Sequence, residues 1–121
     1  MRRTLIPGIF LLSVVPVAAF ADDIAGTYAV AGFDTINKPY STTVKITMTG
    51  EAKCQIQMAT FSTTVTGDCM VTKDIVAVHT RLDAGQHSMG IYRRGADGVL
   101  TGTWTHSAYK GTGRETLTPV D

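Results

Sequence analysis

The chain has 121 residues, with 11 basic and 10 acidic side chains and a formal net charge of +1. Near neutrality argues against nucleic acid as a partner, because phosphate binding needs a basic face. The length allows one small domain.

Residues 1–21 read as an export signal. Arg2 and Arg3 give a positive start, and an apolar run follows from Leu5 to Phe20. Ala19-Phe20-Ala21 supplies the small-x-small pattern of a cleavage site. The run is shorter than the ~20 apolar residues a membrane-spanning helix needs, and it contains Pro7 and Pro16. Cleavage would leave residues 22–121 as a single domain with no further apolar run, hence no stable membrane insertion. The two leader arginines depart with it, so 11 basic residues become 9 against 10 acidic ones. The expected location is periplasmic or secreted.

The exported part is rich in Thr, Val, Ile and Tyr, a composition that suits pleated strands. Eight strand candidates follow in order: 26–33, 40–49, 52–60, 62–71, 75–82, 87–94, 98–106 and 113–119. In the first, Gly26, Tyr28 and Val30 share a face. In the second, Thr42, Val44, Ile46 and Met48 oppose Thr43, Lys45 and Thr47. In the third, Cys54, Ile56 and Met58 oppose Lys53, Gln55 and Gln57. This period of two marks strands with one apolar and one polar face. Turn signals such as "TKD", "DAG" and "GADG" separate the candidates. Short sequential strands without a long crossover predict an all-β, antiparallel up-and-down barrel, lipocalin-like in architecture, with a two-sheet sandwich as the competitor.

The two cysteines, Cys54 and Cys69, fall on candidates three and four. A turn at Phe61-Ser62 pairs Met58 with Val65, Ile56 with Gly67 and Cys54 with Cys69. Directly paired residues lie close enough for a disulfide. In an exported chain a bridge is the expected state. No C-x-x-C redox spacing occurs, and a structural zinc site would need four suitably spaced ligands. His79 and His87 flank one hairpin connection but bring no third ligand, so no metal and no other cofactor is expected.

The large aromatics on strands are Tyr28, Tyr92 and Trp104. Tyr28 shares parity with Val30, and Trp104 with Leu100, which points both inward. Two roles stay open for such rings: filling the barrel or lining a site for a small apolar ligand. Glu115 shares parity with Leu117 and is expected inside, where a carboxylate must be paired or hydrogen-bonded. Arg93 could be its partner if Met89, Ile91 and Arg93 face inward. Tyr28, Tyr92, Trp104 and Glu115 are therefore the candidate ligand-binding residues. No nucleophile–base motif or phosphate loop appears in a usable context, so the expectation is not an enzyme but a binding protein.

Four stretches carry a resemblance: "GTYAV" (26–30), "PYSTTVKIT" (39–47), "GIYRRGADGVLTGTW" (90–104) and "GTGRETL" (111–117). In order and spacing they resemble a family of small exported bacterial β-barrel proteins, largely uncharacterised, some of whose members are labelled fibronectin-binding. Thr42 departs from that pattern, which has Gly after Tyr-Ser, and the two cysteines are an addition to it. The opening strand is also similar to the G-x-W start of lipocalins, with Tyr28 in place of Trp. A fainter likeness is to exported barrel inhibitors of secreted metalloproteases. These resemblances imply an alternative function, a protein-binding module that acts on a host matrix protein or a protease.

Overall fold

The computed structural model describes residues 24–60 and 63–120. Residues 1–21, read above as a leader, and the turn at Phe61-Ser62 lie outside the described residues. Eight strands run in chain order: β1 (Gly26–Phe33), β2 (Pro39–Met48), β3 (Lys53–Ala59), β4 (Thr64–Thr72), β5 (Ile75–Arg81), β6 (His87–Arg94), β7 (Leu100–His106) and β8 (Gly113–Pro119). Each strand pairs antiparallel with its neighbour in sequence, and β8 returns to β1. The result is a closed up-and-down barrel, which leaves no strand edge unpaired. The ends predicted from alternation agree with these strands to within two residues.

The β3–β4 register pairs Met58 with Val65, Ile56 with Gly67 and Cys54 with Cys69. The cysteines are bridged, with their Cα atoms 4.8 Å apart. Both are buried on the inner face. Bridges of this kind persist in oxidising compartments outside the cytoplasm. Among the described residues no helix is long and apolar enough to cross a membrane.

The interior divides along the barrel axis. Towards the end where β1 begins, Ile24, Val30, Val44, Ile46, Val76, Leu100 and Leu117 pack as a buried aliphatic cluster. Burying one such side chain is worth ~1.5–3 kcal/mol. The chain just before β1 folds under this floor: Ile24 is buried, and the Tyr28 hydroxyl donates to its carbonyl at 2.7 Å. Towards the other end, where the β1–β2, β3–β4, β5–β6 and β7–β8 connections gather, the interior holds different residues.

Candidate functional site

Across five neighbouring strands the inner residues at one level are Tyr40, Gly32, Glu115, Gly102 and Tyr92. Glu115 thus stands between two glycines, and a tyrosine lies beyond each. The pattern has a steric cause. A Cβ on Gly32 would meet the Tyr40 ring, and one on Gly102 would meet the Tyr92 ring and the Ile91 carbonyl. Without side chains there, both rings can lean over the intervening strand and reach the carboxylate. The Tyr40 hydroxyl donates to Glu115 Oε2 at 2.5 Å, and the Tyr92 hydroxyl donates to Oε1 at 2.6 Å. Hydrogen bonds to an ionised acceptor are short and strong, and the two satisfy a carboxylate that is only 7% exposed.

Burial, followed by the hydrogen bond and charge of Glu115, pushes the Tyr40 phenol well above its ordinary range. Burial followed by the Glu115 charge does the same at Tyr92. Both phenols therefore stay protonated and remain donors across physiological pH.

A second inner row runs Gly113, Trp104, Gly90, Val78, Cys69, Cys54 and Met48. The Trp104 indole lies across Gly113, where a Cβ would collide with it. Its ring meets that of Tyr40 edge-on, with centroids 6.4 Å apart and planes at 74°. Trp104 Nε1 is buried and has no hydrogen-bond partner among the described residues. Its effect on the Tyr40 phenol is to lower its pKa, against the larger opposing effects of burial and of Glu115.

Above these rows the open half encloses a cavity of about 480 Å³. Tyr40, Tyr92, Trp104 and Glu115 line it, together with apolar walls from Val44, Ile56, Met58, Val65, Val78, Leu82 and Leu117. Thr60, Thr80, Ser88, His106 and Asp34 also contribute polar groups. That size and lining match sites for small molecules, which are mostly apolar with a few convergent polar groups.

The sequence-predicted residues fare unequally. Tyr92, Trp104 and Glu115 meet in this cavity. Tyr28 faces inward as expected, but it is packed into the floor against Ile24 and does not line the cavity. Arg93 is not the partner of Glu115. Met89, Ile91 and Arg93 face outward, where Arg93 pairs with Asp74 at 3.4 Å on the surface. The inner parity of β6 belongs to Gly90 and Tyr92, because the Tyr92 hydroxyl finds its acceptor there. Sequence reasoning missed Tyr40. Its signal was parity, since Tyr40 continues the inward series Thr42, Val44, Ile46 by one step.

His79 and His87 do approach one another, with Nε2 and Nδ1 3.0 Å apart and the rings stacked. Among the described residues no group of three metal-ligating side chains forms around them.

No family model and no curated protein matches the chain. It is similar in structure to a redesigned β-barrel, with a TM-score of 0.69 and 14% identity over 84% of this chain and 95% of that one. A de novo designed fluorescence-activating β-barrel is also similar, with a TM-score of 0.65 and 15% identity over 82% and 95% of the two chains. At such identities the likeness concerns the fold alone.

Proposed function

We propose that this is an exported binding protein, not an enzyme, and that it holds a small, largely apolar molecule in the open half of the barrel. The observation that carries this reading is the cavity itself: about 480 Å³, apolar walls, and Tyr40, Tyr92, Trp104 and Glu115 converging at its base. Tyr40, Tyr92 and Glu115 are hydrogen-bonded to one another, which favours binding over catalysis. The buried bridge fits a periplasmic or extracellular setting. The test is saturable fluorescence enhancement of a neutral solvatochromic dye such as Nile red. Val65→Phe, which narrows the cavity, is expected to weaken it at least five-fold. A dye signal unaffected by this change would place binding elsewhere and sink the reading.

One observation favours the alternative of a protein-binding module. Met70, Met89 and Ile91 are 60%, 60% and 55% exposed on the outer face of β4 and β6. Exposed apolar patches mark interaction surfaces when they are contiguous. Met89→Asp would abolish binding to a captured matrix protein or protease while leaving the dye signal intact.

A further inference from the structure

The cavity lining is electrostatically one-sided. Asp34 and Glu115 supply carboxylates and His106 an imidazole, while among the described residues no lysine or arginine lines it. The two hydrogen bonds that Glu115 accepts come from neutral phenols. Such donors satisfy lone pairs but leave the negative charge in place. Asp34 adds to the same field, since its charge also acts on Tyr40.

Around this charge stand three aromatic rings. Tyr40 and Trp104 both line the cavity, and their rings meet edge-to-face at 74°. Tyr92 lines the same cavity and reaches Glu115 from the side opposite Tyr40. Aromatic faces attract cations through the ring quadrupole, most strongly where water is excluded, and cages of this kind recognise alkylammonium groups. Trp104 Nε1 adds a buried donor without a partner among the described residues. An unpaired buried donor is costly, and an acceptor atom on a ligand would satisfy it.

We propose that the molecule held in the barrel is a cation: a small organic amine or quaternary ammonium with an apolar body. Its charged head sits against Glu115 and the rings of Tyr40, Tyr92 and Trp104. Its apolar body lies along Val44, Ile56, Met58 and Val65. This inference rests on the cavity reading above and narrows it to one ligand charge.

The chain contains a single tryptophan, so Trp104 fluorescence reports the site directly. The exported domain, with its bridge intact, is titrated with three probes sharing one tail: hexyltrimethylammonium, hexanol and hexanoate. The cation is expected to bind about ten-fold tighter than the alcohol, as a desolvated cation–π and charge contact allows, and hexanoate weakest of all. Glu115→Gln is expected to bring the cation down to the affinity of hexanol measured in the same variant. If Glu115→Gln does not fold, Ser88→Lys at the cavity mouth tests the same field by adding a positive charge, and cation binding alone is expected to fall. Equal affinity for the cation and the alcohol would overturn the cationic ligand while leaving the cavity reading standing. If calorimetry and fluorescence detect none of the three, both fall together.

Discussion

The two halves of the barrel share the same strands and the same alternation, yet they are built on different physics. The floor is aliphatic: Leu100, Leu117, Val76 and Ile46 fill space by dispersion, and Ile24 is drawn beneath them. The open half is sparse. Its glycines leave room for rings, and the rings are fixed by hydrogen bonds to one carboxylate. Packing alone specifies the first region, so its residues can be exchanged within limits of volume. Direction specifies the second, so a small chemical change there matters more than its size implies. A short barrel therefore divides its labour: stability is concentrated at one end, and the other end is free to enclose a space.

The largest effect that separates the halves is expected from Leu100→Ala in the floor, a residue that is fully buried and does not line the cavity. Loss of a fully buried leucine costs ~3–4 kcal/mol through lost transfer and an unfilled void. Urea denaturation should show that loss, with the ranking of the three hexyl probes unchanged. Next is reduction of Cys54–Cys69. The loop it closes has a sequence separation of 15, for which the chain-entropy model gives ~3 kcal/mol. A lower melting temperature with a retained strand signature in circular dichroism is expected. Persistence of the melting temperature would show that the bridge constrains nothing the barrel does not already fix.

Tyr92→Phe probes the open half. It removes one charge-assisted donor to Glu115 and is expected to cost ~1.5–3 kcal/mol. It also alters the pH dependence in a defined direction. The phenols of Tyr40 and Tyr92 are raised above their ordinary value of 10.0 in the fold. Their contribution is complete below pH 10 and is lost as pH rises beyond it. Each phenol removes up to ~1.4 kcal/mol per pH unit in that window. In Tyr92→Phe the slope of stability against pH above 10 is expected to fall by about half. An unchanged slope would mean that the buried phenols do not control alkaline unfolding. The smallest effect belongs to Arg93→Ala. That surface pair, with its side chains 70% and 53% exposed, is expected to be worth no more than a few tenths of a kcal/mol. A loss comparable to that of Tyr92→Phe would restore Arg93 as a support of the interior.

How much of this was legible beforehand follows the same division. The strands, the closed order and the cysteine register were readable because alternation with period two fixes both faces at once. The site was readable only in part. Glu115 was placed inside by parity with Leu117, but its partners depend on which residues stand opposite it across two strands on either side. No local pattern encodes that row. On β6 hydrophobicity even points the wrong way, since Met89 and Ile91 look like core and are exposed, while Gly90 and Tyr92 turn inward. Tyr40 was missed because it sits at the start of its strand, separated by the polar Thr42 from the apolar series that reveals parity, which begins at Val44.

One consequence of the closed strand order concerns connectivity. The first and last strands are direct neighbours, and the Val120 amide donates to the Thr27 carbonyl at 3.1 Å. A ring of hairpins has no privileged starting point, so β8 could be joined to β1 by a short linker and the chain reopened at Asp97-Gly98. Such a circular permutant would keep every inter-strand pairing. It would also turn the longest-range contact of the present chain into a local one and make β6–β7 the pairing that seals the cylinder.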